Sequence, residues 1–96
     1  FFNSGGLDIL IPGAVKMLSS IEMKNNNKEE AINYIDEGIN SSESLNTKID
    51  LNLYKALLFI NENDKKRALN VLEILNNDYD LSLSQKRHFE ELMGMI

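Results

Sequence analysis

His88 is the only histidine in the chain, and on a helix it has Glu91 three residues ahead and Ser84 four behind. That trio holds the groups of a proton shuttle: a nucleophile, a base and a carboxylate to orient it. Residues three and four apart share a helix face, so this proximity follows from spacing alone and is common by chance. Catalysis needs titrating groups that converge in a pocket, and no such set can be assembled here. His88 reads as a helix-surface residue. The pairs Glu29-Glu30, Asp36-Glu37 and Glu90-Glu91 are candidates for metal binding or acid–base work. Adjacent carboxylates on a helix point about 100° apart and do not close on one ion. The chain has no H-E-x-x-H, no E-x-x-H and no alternating Asp loop of the calcium-binding type. Gly5-Gly6 precedes no phosphate-loop pattern. The expectation is a non-enzyme with no catalytic residues, no cofactor and no metal.

Charge narrows the partners. The net charge is −5 over 96 residues. A protein that grips nucleic-acid phosphates or an anionic membrane surface needs a basic face, so neither is expected. Lys65-Lys66-Arg67 is the one basic run. It falls in the first turn of a helix, where the dipole disfavours cations and Asp64 as cap compensates in part. It reads as a solvated face, or else as a docking spot for an acidic segment. No apolar run approaches the roughly 18 residues of a membrane span. With no cysteine, disulfides, zinc–thiolate sites and thiol catalysis are excluded. A hydrophobic fraction of 43% and a charged fraction of 26% fit one small domain. A first residue other than Met suggests processing or excision from a longer chain. The compartment stays open, with the cytoplasm favoured.

Apolar periodicity then gives the elements that must position any site. Residues 1–11 read as a flexible or loosely packed lead, and 12–96 as a single helical domain. Helix 1 is expected over about 12–24, with Pro12 in its first turn and Val15, Met17, Leu18 and Ile21 as its apolar residues. Asn25-Asn26-Asn27 is a break, and Asn27 with Glu30 has the spacing of a capping box. Helix 2 runs to about residue 40, with Ala31, Ile32, Tyr34, Ile35, Gly38 and Ile39 on one arc. Residues 40–46 form a loop. A weaker capping pattern, Thr47 with Asp50, opens helix 3 over about 48–62. That helix is apolar on two sides: Ile49, Leu53, Ala56, Leu57 and Ile60 on one, Leu51, Tyr54 and Leu58 on the other. Such a helix is usually central. Helix 4 covers about 64–76, and Ser82 with Gln85 starts helix 5, about 82–96. The sum is an all-α chain of five helices with no strand.

Residues 27–35 read NKEEAINYI and residues 64–72 read DKKRALNVL. From 27 to 64 the period is 37, and periods in the thirties suggest stacked helical pairs. Ala68, Leu69, Val71, Leu72 and Leu75 take the angular positions of Ala31, Ile32, Tyr34, Ile35 and Gly38. A small residue near the start of a second helix, after a short polar turn, resembles the tetratricopeptide repeat. Asn26 and Asn63 stand where that family usually has its turn Gly. Leu18 and Ser19 in the first unit, and Ala56 and Phe59 in the second, match further positions. The departures are the longer period, Lys55 where Leu is common, Glu22 where Tyr is common, and no Pro closing either repeat. The resemblance implies antiparallel helical hairpins stacked as a short array. Its two repeats would span about 12–40 and 48–76, followed by a C-terminal capping helix.

In that family the first helices of the repeats line a concave groove. Carried onto this sequence, the groove residues are Asp50, Leu53, Leu57, Ile60 and Asn61 in helix 3 and Gly13, Lys16, Ser20, Met23 and Lys24 in helix 1. Lys16, Lys24 and Asn61 would supply polar contacts, and helix 5 is expected to cover part of the apolar wall. The resemblance thus implies a non-catalytic protein-interaction module that holds a partner peptide or helix. The alternative is a structural segment of a larger protein that self-associates through Phe89, Leu92, Met93 and Ile96, with no separate ligand.

Overall fold

In a computed structural model, which describes residues 11–96, α1 spans Ile11–Lys24, α2 Lys28–Ser41, α3 Leu45–Asn61, α4 Lys65–Asp78 and α5 Leu83–Gly94. The described residues are 82% helical and contain no strand. The expectation of a loose lead over 1–11 lies outside the described residues, except that Ile11 already belongs to α1. The chain divides into two compact units, Phe1–Leu51 and Asn52–Ile96, with the division inside α3.

In the first unit α1 and α2 pack against each other as a hairpin. Val15 and Ser19 of α1 and Ala31 and Ile35 of α2 are fully buried. Small residues at 19 and 31 let the two backbones approach. Burying the Ser19 hydroxyl is tolerated because it donates to the Ala31 carbonyl at 3.1 Å. Of the apolar residues expected to anchor helix 1, only Val15 is fully inside. Leu18 is half-buried, while Met17 is 64% exposed and Ile21 47%. The start of α3 completes this unit, with Ile49 and Leu51 buried. Lys48 Nζ donates to the Ile39 carbonyl at 2.7 Å, which satisfies one of the open carbonyls at the end of α2.

In the second unit the rest of α3 contributes Leu53, Ala56, Leu58, Phe59 and Ile60 to the core. From α4 come Ala68, Val71, Leu72 and Leu75, and from α5 Leu92. The last helix packs on α4. Each fully buried side chain of the size of Leu72 or Leu75 contributes about 1.5–3 kcal/mol from removal of apolar area.

The loop between α2 and α3 is shorter than the sequence suggests. It is Ser42-Glu43-Ser44, and α3 begins at Leu45, not near 48. Ser44, not Thr47, is the cap: its Oγ accepts from the Thr47 N–H at 3.3 Å, and its carbonyl accepts from the Lys48 N–H. A Ser cap offers the orphan donors of a first turn an oxygen, so the helix starts one turn early. The residues that lengthen the period are therefore absorbed by α3 and not by the loop. At the start of α5 the expected Ser82–Gln85 box is complete. Gln85 N–H donates to Ser82 Oγ at 3.3 Å, and Ser82 N–H donates to Gln85 Oε1 at 2.8 Å.

Candidate interaction surface

The feature most repeated in this chain is its hairpin turn. Asn26 has φ 63° and Asn63 φ 61°, and these are the positive-φ non-glycine residues of the described chain. Around Asn26, the Asn27 N–H donates to the Glu22 carbonyl at 2.8 Å and the Asn26 N–H to the Met23 carbonyl at 3.1 Å. Around Asn63, the Asp64 N–H donates to the Phe59 carbonyl at 2.8 Å and the Asn63 N–H to the Ile60 carbonyl at 3.0 Å. Each is a Schellman ending, in which a left-handed residue folds the chain back onto the last open carbonyls. Asn tolerates this conformation better than other side chains, which is why it can stand in for Gly. The next residue, Asn27 or Asp64, begins the following helix with φ,ψ of −100°, 64° or −95°, 69°.

The side chains at the two turns differ. Asp64 caps α4: its Oδ1 accepts from the Arg67 N–H at 3.3 Å and its Oδ2 pairs with Arg67 Nε at 2.7 Å. The Arg67 guanidinium then lies 5.1 Å from the centroid of the Phe59 ring, in cation–π range. Asn27 does not cap α2, so the expected Asn27–Glu30 box is not formed. Its Nδ2 instead donates to Glu22 Oε2 at 3.1 Å. An acceptor one turn back draws the amide away from the helix it precedes.

The groove residues proposed from the sequence have unequal surfaces. In the first unit, Lys16 Nζ pairs with Asp50 Oδ2 at 2.9 Å, both partly exposed. Lys24, Gly13 and Ser20 are exposed, and Met23 is half-buried. In the second unit, Asn61 is exposed and Leu57 half-buried. Leu53 at 2% and Ile60 at 9% are core residues with almost no area to give a partner. Their apolar neighbours across α3 explain this, because a helix apolar on two sides has little free face.

His88, Ser84 and Glu91 are all exposed on α5. Among the described residues no three His, Asp or Glu side chains come together in a way that would hold a metal ion. Lys65, Lys66 and Arg67 are exposed in the first turn of α4, with Arg67 already engaged by Asp64. No described helix is long and apolar enough to cross a membrane. On α5, Leu92 is buried, Phe89 and Ile96 are half-buried, and Met93 and Met95 are 39% and 50% exposed.

No protein-family model matches the chain, and no curated protein or solved structure matches it at a significant level of similarity. The reading therefore rests on the chain's own internal repetition. Sequence reasoning missed the open pair Met17 and Ile21. Both fall outside the arc of Val15 and Ser19, but Leu58, the counterpart of Ile21 37 residues later, is buried at the same angle, so angle alone does not separate open from covered positions.

Proposed function

We propose that this chain is a non-catalytic protein-interaction module whose helical hairpins, of the tetratricopeptide type, present a preformed surface to a partner helix or peptide. The single observation that supports it is the duplicated helix–turn–helix, with turns of the same backbone conformation 37 positions apart, from Asn26 to Asn63. Repeated hairpins give rigid, regularly spaced helix faces, and a rigid surface leaves most of the ordering cost of binding to the partner. The polar contacts available in the first unit are Lys24 and the Lys16–Asp50 pair, and in the second Asn61 beside the half-buried Leu57.

A second reading, a self-associating segment of a larger assembly, is favoured by the exposure of Met93 and Met95 at the end of α5. Phe89 and Ile96 would join that contact, whereas Leu92 has no free area to contribute. Light scattering over a concentration series separates the two. A mass that stays at 10.9 kDa is the outcome expected for the module. A mass that climbs with concentration, and falls back in Met93→Glu, would establish the second reading.

A further inference from the structure

The two helices that end the second unit are held unequally. α4, of 14 residues, buries Ala68, Val71, Leu72 and Leu75. α5, of 12 residues, buries Leu92 alone. Elsewhere along α5, Gln85 and Phe89 are half-buried, Leu83 is 76% exposed and Met93 39%. A helix this short is marginal in water, and in a folded protein most of its stability comes from packing. Here that packing is against α4 and passes chiefly through one side chain.

The segment that joins the two helices can turn without breaking a helix. Residues 79–82 lie outside both. Ahead of them α4 closes on itself, with the Tyr79 N–H donating to the Leu75 carbonyl at 3.2 Å. Behind them α5 opens on itself, through the reciprocal Ser82–Gln85 bonds. Tyr79 and Ser82 both have extended backbones, and Asp80 and Ser82 are exposed. The open backbone groups at each helix end are thus met by neighbours along the chain, and neither end needs α5 to stay docked.

We propose that α5 is a hinged lid, which leaves α4 by turning about residues 79–82 while α3 and α4 stay folded, with Leu92 as its latch. The lid covers the part of α4 on which it packs, so opening bares that surface. Local openings of this kind come from regions with few buried apolar contacts. Once open, α5 keeps its cap and loses its one buried residue, and a free helix of its length frays. Undocking and melting are therefore one event. The lid goes beyond the interaction-module reading and stands without it.

The chain has no cysteine, so a single introduced thiol reports where the protein opens. Leu92→Cys and Leu72→Cys, each in the full chain and each at a buried position, are reacted with a chromogenic disulfide reagent over a range of low urea concentrations. Leu92→Cys is expected to react at least about a hundredfold faster than Leu72→Cys. Its rate should depend weakly on urea, because a local opening exposes little surface, whereas Leu72→Cys should show the steep dependence of global unfolding. Amide exchange of the unsubstituted chain checks that the substitution itself did not free the helix. Amides of α5 beyond its first turn should exchange at least about tenfold faster than those of α4. Equal rates and equal urea slopes for the two thiols would overturn the proposal. So would wild-type α5 and α4 amides that exchange together, even where Leu92→Cys reacts fast, since α5 would then belong to the core. Loss of the helical circular dichroism of the whole chain in Leu92→Cys would have the same consequence, because releasing a latch leaves α3 and α4 intact.

Discussion

The turn at 25–27 and the turn at 62–64 have the same backbone and different side-chain bonds. Both place an Asn in the left-handed region and both return two N–H groups to the last carbonyls of the preceding helix. Yet Asp64 caps its helix and holds Arg67 over Phe59, while Asn27 caps nothing and bonds back to Glu22. Position 22 and position 59 are themselves one period apart, a carboxylate in one hairpin and an aromatic ring in the other. The turn is therefore defined by its backbone hydrogen bonding, with small residues buried on either side of it, Ser19 and Ala31 around the first and Ala56 and Ala68 around the second. The polar groups around it differ, and each set satisfies its local donors and acceptors in its own way.

Substitutions at equivalent positions sharpen or break this equivalence. The largest effects belong to the core. Ile35→Ala and Leu72→Ala, both at fully buried and equivalent positions, should each destabilise by about 2–5 kcal/mol in urea unfolding. A loss below about 1 kcal/mol at either would mean that its hairpin is loosely packed and the equivalence is one of turns only. Next come the turns. Asn26→Ala and Asn63→Ala should each cost about 1–2 kcal/mol, because a β-carbon without Asn's local hydrogen bonding resists positive φ. Glycine at either place should be tolerated. A clear inequality between the two Ala variants would show that one turn is held by its neighbours and not by its own conformation.

Smaller effects separate the hairpins. Asp64→Ala should lose about 1 kcal/mol, the usual value of a cap, and speed amide exchange in the first turn of α4. Asn27→Ala should leave the first turn of α2 nearly unchanged, since no cap bond is present to lose. Similar exchange responses would contradict the difference drawn between the two turns. Ser19→Ala should cost about 0.5–1.5 kcal/mol by removing the buried bond to the Ala31 carbonyl. It would give the first hairpin the Ala that the second has at Ala56, and thermal melts of the variant provide the measurement.

Much of the helical architecture was legible in the sequence. The breaks at Asn25–Asn27 and Asn61–Asp64, the Ser82–Gln85 box and the apolar arcs of α2 and α4 all depend on nearest neighbours along the chain. Where the reading departed from the structure, the competing interactions were also local but too closely matched to rank. Ser44 and Thr47 are both good caps, and the nearer one to α2 won, with Ser42 Oγ accepting from the Ser44 N–H at 3.2 Å. Asn27 had a helix ahead of it and a carboxylate behind it, and took the carboxylate. The candidate surface was less legible. Leu53 and Ile60 were expected as groove walls and are core residues, whereas Met17 and Ile21, counted among the apolar residues of helix 1, are exposed.

The sequence by itself determined that this protein is helical, where its helices break, and that one hairpin turn is used twice, because caps, left-handed Asn residues and period-3.6 apolar arcs act within a few residues. Only the tertiary structure decided which apolar residues are covered. An apolar arc states that a residue prefers burial; whether it is buried depends on a neighbouring helix, and the sequence of α1 carries no information about how much of its surface that neighbour reaches. That is why Leu58 is in the core and Ile21, its counterpart one period earlier, faces outward.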